Sequence, residues 1–293
     1  MLSLFPQFLV TGLLTGSVYA LVAVSIVLVF KATRIFNFAV GELLALGGFF
    51  CWSFVVWCHF PLWLALLGAL ALAVVAGALV ERLVLRPLLN QPLLTIIMAT
   101  LALSVLLRGL MLMIWTGYNL GFPKNLLPGK TVLIGNVAMS HELLWAAGIA
   151  LVSFAGLAYF FMRTKTGLRM RAVSEDHELS MSCGVKITMI FAVTWVLAVI
   201  LGTLAGFLMG YRLSLGATYT PLLALKAFPA VIFGGLESIT GALLGGLAVG
   251  VIEGLVGGLI DPTLGEISAY ILLLFVLIIR PEGLLGLKRI ERV

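Results

Sequence analysis

Four charged residues, Arg108, Lys226, Glu237 and Glu253, fall inside long apolar runs, and any chemistry in this chain starts from them. A charge at the centre of a bilayer costs about 2.5–3.5 kcal/mol on insertion scales, so each requires a partner, water or a place near an interface. Each is open to two readings: a group lining a solute path, or a structural charge that is paired or snorkels to the surface. No two carboxylates or histidines share an i, i+4 helix face at depth, which argues against a proton relay. His59, His141 and His177 lie near the ends of apolar runs and far apart in sequence, and Cys51, Cys58 and Cys183 show no metal spacing, so no metal site is expected. Gly129-Lys130-Thr131 has the end of a phosphate-binding loop but Lys124 where that loop needs its first glycine. Gly-x-Ser-x-Gly, His-Glu-x-x-His and Cys-x-x-Cys are absent. The chain is therefore expected not to be an enzyme. Energy for active transport would have to come from an ion gradient or from another polypeptide.

The elements that position these residues follow from composition. Of 293 residues, 62% are hydrophobic and 10% charged, against roughly 45–50% and about 25% in soluble domains. With a mean hydropathy of +1.21, this excludes a water-soluble globule, a disordered tail and a nucleic-acid binder. The expected fold is all-α: a polytopic transmembrane helical bundle forming one domain over 1–293, with about eight spans of about 20 residues each. Candidate runs are Phe8–Phe30, Gly41–Cys58, Pro61–Val80, Leu93–Trp115, Leu143–Met162, Ile187–Gly210 and Ile267–Ile279. Pro221–Leu259 is too long for one crossing, so a re-entrant or broken segment is expected near 221–240. The start, Met1 to Gln7, lacks a basic region, and the first span is expected to be retained.

The net charge of +6 comes from basic residues concentrated at span ends, which reads as an orientation signal rather than an anion site. Glu81–Arg86, Arg163–Lys186 and the tail Arg280–Val293, with Lys288, Arg289 and Arg292, are placed on the cytoplasmic side. Counting crossings puts the N-terminus outside. It also puts 116–140 outside, as an external loop of turns with a possible hairpin around Thr131–Ile134. That loop suits either an external partner or a passive connection.

Helices in lipid associate by close packing, which small residues four apart permit. Gly241 and Gly245 have this spacing, followed by Gly246, Gly250, Gly254 and Gly258 in one register, and all six are read as packing contacts, with Gly202, Gly206 and Gly210, and Gly12 and Gly16, as further faces. Phe233, Gly234, Gly235 and Ser238, downstream of Pro229, read as a helix break, because freed backbone groups must lie against protein or water. A hinge and a path element are both open there. Asn37 and Glu42 stand at the edge of an apolar run and mark a second candidate break. These six residues are the candidates for a translocation path.

The most informative hydrophilic stretch is 163–186. It is basic at first, then carries Glu175, Asp176 and Glu178, with Leu179 and Val185 as apolar positions. Ser174 is expected to cap a short helix and Gly184 to end it. A short amphipathic helix between two spans is a natural docking element. Its run Glu178-Leu-Ser-Met-Ser-Cys-Gly184 is similar to a degenerate form of the Glu-Ala-Ala-x-x-x-Gly motif by which permeases of ATP-binding-cassette (ABC) importers contact their ATPases.

Further segments appear in order: Gly16-Ser-Val-Tyr-Ala-Leu, Ile35-Phe-Asn-Phe-Ala-Val-Gly-Glu42, Glu81-Arg-Leu-Val-Leu-Arg-Pro-Leu88, Thr166-Gly-Leu-Arg-Met-Arg-Ala172, Lys226-Ala-Phe-Pro-Ala-Val-Ile-Phe-Gly-Gly235 and Arg280-Pro-Glu-Gly-Leu-Leu-Gly286. Over nearly its whole length the chain resembles the LivH-type permeases of branched-chain amino-acid ABC importers. It departs at Val40 and Glu237, where that family often has His and a small residue; these departures bear on the substrate more than on the family. The resemblance implies an ABC importer permease fold in the bacterial inner membrane. It implies a LivM-like partner or a second copy of this chain, two cytoplasmic ATPases carrying ATP and Mg, and a periplasmic binding protein. No cofactor is implied on this chain. Arg171, Ala172, Glu178, Leu179 and Gly184 would then form the ATPase contact within the coupling loop 163–186. The implied function is passage of branched-chain or hydrophobic amino acids. From the residues alone, a stand-alone carrier or channel for small polar solutes such as urea or amides is the alternative.

Overall fold

A computed structural model describes residues 4–88, 91–123, 126–134, 137–280 and 282–286. The basic tail residues Lys288, Arg289 and Arg292 lie outside them. The elements, in order, are α1 (Phe5–Thr33), α2 (Val40–Val56), α3 (Leu62–Val80), α4 (Leu93–Trp115), β1 (Val132–Ile134), β2 (Val137–Met139), α5 (His141–Arg163), α6 (Lys165–Glu175), α7 (His177–Ser182), α8 (Ile187–Leu213), α9 (Tyr219–Leu225), α10 (Ala227–Gly234), α11 (Ile239–Leu259) and α12 (Pro262–Ile279). A π turn and a 3-10 turn extend α3 to Leu88.

Among the described residues seven helices are long and apolar enough to cross a membrane: α1, extended α3, α4, α5, α8, α11 and α12. Helix α2 and the broken run Tyr219–Gly234 are apolar but shorter. The expectation of a multi-pass helical bundle holds, and so does the break in 221–240. Helix α1 is apolar on every face, and such a helix belongs in an interior; its residues 18–29 are all buried. Helices α4, α5 and α12 instead expose Leu, Ile and Val along much of their length, as a lipid-facing surface does.

The chain divides into two compact units. One comprises Met1–Val27, Leu127–Ala150 and Lys226–Val293. Its centre is a glycine seam between α1 and α11. A Cβ on Gly12 would stand 2.7 Å from the carbonyl oxygen of Gly250, and one on Gly16 would stand 2.8 Å from that of Gly246. From the other side, a Cβ on Gly246 would collide with Ala20, one on Gly250 with Gly16, and one on Gly254 with Gly12. Gly241 and Gly245 point elsewhere, onto Gly234 and Ala230 of α10. The six glycines thus serve two faces: 241 and 245 meet α10, while 246, 250, 254 and 258 meet α1. The adjacent positions 245 and 246 lie about 100° apart on a helix of 3.6 residues per turn, which separates the two sets.

In the same unit, β1 and β2 form a hairpin within the 116–140 loop, around the apolar run Thr131–Ile134, with Val132 opposite Met139. Gln7 clamps it, donating to the carbonyl of Ala138 at 2.7 Å and accepting that residue's amide at 2.6 Å. Asp261 caps α12, whose first residue is Pro262; accepting the amides of Thr263 and Leu264 holds its carboxyl below the usual carboxylate range.

The second unit comprises Leu28–Leu126 and Leu151–Leu225. Here α8 packs against both α2 and α3. Gly206 of α8 approaches Leu44 and Gly48 of α2, Gly47 stands over Thr203, and a Cβ on Gly77 of α3 would lie 2.9 Å from the Cα of Val196. Ala65, Ala69, Ala73 and Gly77, at four-residue spacing, form the buried stripe of α3. This is the close approach that small residues permit between helices in lipid.

Candidate functional site

The hydrophilic stretch 163–186 folds as two consecutive helices. Thr164 caps α6, its hydroxyl accepting the Gly167 amide at 3.0 Å. Met170 and Val173 bury that helix's inner face, while Arg171 and Ala172 are exposed. Ser174 does not cap the second helix: it is still helical, and its hydroxyl donates back to the Arg171 carbonyl at 2.7 Å. Asp176 is the cap instead. It leaves the helical conformation at φ −150, and its Oδ1 accepts the Leu179 amide at 2.9 Å. A carboxylate there serves both as hydrogen-bond acceptor and as charge against the helix dipole.

Helix α7 ends at Gly184, whose φ of +79 lies in the left-handed region that glycine enters without a Cβ penalty. The amides of Gly184 and Val185 return to the carbonyls of Met181 and Ser180 at 2.9 and 3.0 Å. One face of this helix is anchored. Ser180 is buried, and His177 holds Nε2 3.0 Å from the Ala32 carbonyl at the end of α1, with its ring edge on Phe191 of α8 at 5.9 Å. The other face presents Glu178, Leu179 and Met181, and Leu179 is 65% exposed. The loop thus holds two large apolar side chains, Leu179 and Met181, outward on a short helix capped at both ends.

The deep charges find partners. Glu42, at the start of α2, is buried, and its Oε1 accepts from Arg108 Nη2 of α4 at 2.7 Å. Lys226, between α9 and α10, donates to Glu253 of α11 at 3.1 Å and to Glu266 of α12 at 3.3 Å. Neither pairing carries a local sequence signal, since the partners lie tens of residues apart, and Glu266 was not among the residues singled out.

Breaking a buried ion pair leaves an uncompensated charge, which costs about 3–5 kcal/mol; for Glu42–Arg108 the cost sits at the low end, because the Arg108 side chain is 38% exposed. Arg108→Met is therefore expected to lower the thermal midpoint of the purified chain. Adding Glu42→Gln to it is expected to restore most of the loss. Midpoints of the two single variants and the double variant check this; additive losses would contradict the pairing.

The remaining path candidates occupy two joints. Asn37 lies between α1 and α2, buried, its Oδ1 accepting the Ala39 amide at 2.9 Å. Glu42, a few residues on, is committed to Arg108. Phe233, Gly234, Gly235 and Ser238 form the turn from α10 to α11. The amides of Leu284 and Leu285 satisfy the carbonyls of Phe233 and Gly234 at 2.8 and 3.1 Å, and Ser238 caps α11 by accepting the Gly241 amide at 2.9 Å. Gly235 has φ +102, and a Cβ there would stand 2.6 Å from the Gly286 amide nitrogen. The break is thus closed by protein backbone from beyond α12, which meets the demand that freed polar groups in a membrane be satisfied.

A family model described as branched-chain amino acid transport system / permease component matches residues 8–279. The chain is 29% identical over 302 residues to the high-affinity branched-chain amino acid transport system permease protein BraD of Pseudomonas aeruginosa, covering 99% of this chain and 98% of that one. It is 26% identical over 306 residues to the corresponding permease protein LivH of Escherichia coli, with the same coverage. Among solved structures, PsaBC from Streptococcus pneumoniae in complex with Fab aligns with a TM-score of 0.52 at 14% identity, covering 96% of this chain and 97% of that one. At that identity the likeness concerns the fold alone.

Proposed function

The chain belongs to the branched-chain amino acid transport system permease family, and on that premise we propose that it is a membrane-spanning subunit of an ABC importer in the bacterial inner membrane. It passes branched-chain or other hydrophobic amino acids inward. Helix α7 is the single observation that carries this reading. An exposed Glu178, Leu179 and Met181 on a helix fixed at both ends suit a partner ATPase. Through His177 that contact reaches the end of α1 and Phe191 of α8. A partner that moves on binding ATP would therefore tilt spans rather than bend a loop. Arg171 and Ala172, exposed on α6, extend the same contact.

The full assembly has two ATPases, which hold the ATP and Mg, and a second permease subunit that is LivM-like or another copy of this chain. A periplasmic binding protein delivers the solute at the 116–140 loop. The Gln7-clamped hairpin gives that protein a fixed surface. This chain holds no cofactor of its own in this scheme. The charges that best favoured a stand-alone carrier, Lys226 and Glu253, meet each other, which weakens that alternative. Reconstitution in liposomes tests the reading. The chain with its ATPases and second permease is expected to take up leucine only with ATP, and the chain alone is expected to show no gradient-driven flux. Flux by the chain alone would replace the importer with a carrier.

A further inference from the structure

Arg86, Arg108 and Lys226 each meet a carboxylate. Arg163, Lys165 and Arg169 are exposed and meet none among the described residues. These three cations crowd into 163–169, where α5 ends and α6 begins. The acidic residues of the same stretch, Glu175, Asp176 and Glu178, gather around the start of α7. Arg171 stands one helical turn before Glu175 and belongs to that end. The stretch is thus divided by charge, and its basic end has no counter-charge from the protein.

Where these cations lie relative to lipid follows from α5. That helix is long and apolar enough to cross a membrane, and Val152, Tyr159 and Met162 share an exposed face of it, as lipid-facing residues do. Met162 is 72% exposed and directly precedes Arg163. The chain then folds back instead of running on into water. The Thr164 hydroxyl donates to the Phe160 carbonyl at 2.7 Å and accepts the Gly167 amide, and a Cβ on Gly167 would stand 2.7 Å from the Phe161 Cα. The first turn of α6 is thereby held against the last turn of α5, at the depth where the apolar span ends. Met170 and Val173 bury one face of α6, so Lys165, Leu168 and Arg169 are turned away from protein. Leu168 is 59% exposed between two cations, the pattern of a helix that lies in a bilayer interface. Long cationic side chains there bury their stems in lipid and raise their charges to the headgroups.

We propose that Arg163, Lys165 and Arg169, with Met162 and Leu168 set among them, form a docking surface for anionic phospholipid in the leaflet at that end of α5. The cations take the headgroup phosphate, and the two apolar side chains lie beside the acyl chains. Three uncompensated positive charges favour a headgroup of net negative charge over one that carries its own cation. The surface requires only that α5 spans a membrane and is independent of the importer reading. One end of the 163–186 stretch is then held by lipid while the exposed face of α7 stays open.

The test titrates the full-length chain in a neutral detergent with phosphatidylglycerol, reads bound lipid by native mass spectrometry and locates it by hydrogen exchange. Saturable binding is expected, with slowed exchange over 163–169 and with phosphatidylcholine far weaker. The variant R163Q/K165Q/R169Q is expected to bind about a hundredfold more weakly, about fivefold for each charge removed. R163K/R169K keeps the charges and is expected to bind within about twofold of the unaltered chain. Added salt is expected to weaken binding by the unaltered chain, a check that needs no variant to fold. Equal binding of the two lipids, binding that ignores salt, or unchanged affinity in a folded glutamine variant overturns the proposal. So does protection confined to other segments. Displacement by inorganic phosphate would make this a site for a soluble anion, and protection of 163–169 by the proposed ATPase partners but not by phosphatidylglycerol would assign it to them; either result overturns the lipid surface.

Discussion

Replacing Gly250 with leucine is expected to remove nearly all folded, monodisperse protein, because the space a side chain would need is occupied by backbone. A Cβ at this position meets Gly16 and the Gly12 carbonyl of α1, and side chains on Gly12 or Gly16 would in turn meet the backbone of Gly250 or Gly246. Neither helix has a flexible side chain to move aside, so α1 and α11 must separate. Overpacking in a tight interior typically costs about 1–3 kcal/mol, and more where nothing yields; a total stability of about 5–15 kcal/mol leaves little margin. Gly258→Ala is the comparison: the nearest atoms to its Cβ belong to the side chain of Phe8 and not to backbone, so a change of Phe8 rotamer relieves the clash and a smaller loss is expected. Size-exclusion profiles and thermal midpoints of the two variants check the contrast. A monodisperse Gly250→Leu variant with an unchanged midpoint would contradict the packing described for α1 and α11.

The second large effect concerns α7. Leu179→Asp is expected to leave the fold intact, because the side chain is mostly exposed. It is expected to weaken association with the proposed ATPase partners by roughly thirtyfold, the equivalent of truncating an interface anchor worth about 2 kcal/mol. Gly184→Val acts on the same contact by another route. At φ +79 a β-branched residue is strained, so the end of α7 must rearrange, and ATP hydrolysis is expected to continue with little uptake. Pull-down of the ATPases and the ratio of uptake to hydrolysis separate the two effects. Wild-type values in both variants would remove α7 from the coupling route.

What the sequence discloses about this fold is the one-dimensional part. Spans were legible because apolar runs of span length are rare outside membranes, and the hairpin in the 116–140 loop because turn residues flank its short apolar run. Gly184 as a helix end followed from glycine's access to positive φ. The cap was harder: Ser174, Glu175 and Asp176 all suit a helix start, and the choice of Asp176 depends on α6 running on to Glu175, held at its own start by Thr164. The glycine register was visible, but its division between α1 and α10 depends on which helices flank α11. Gly47, Gly48 and Gly77 escaped notice because each is a single or doubled glycine without the four-residue repeat. Their close contacts are made by the facing elements of α8. The ion pairs were least legible of all. Arg108, Lys226 and Glu253 were recognisable as charges that needed partners, yet Glu42 and Glu266 are brought to them only by tertiary packing.

The premise that work enters this chain through α7 is tested most directly by the side of the membrane on which that helix lies. Leu179→Cys, in a chain whose exposed Cys58 and Cys183 are replaced by serine, can be treated with a membrane-impermeant maleimide in intact and in permeabilised cells. Labelling is expected only after the inner membrane is opened, with protection from it when the proposed ATPase partners are co-assembled. Labelling in intact cells would place α7 outside and contradict the account.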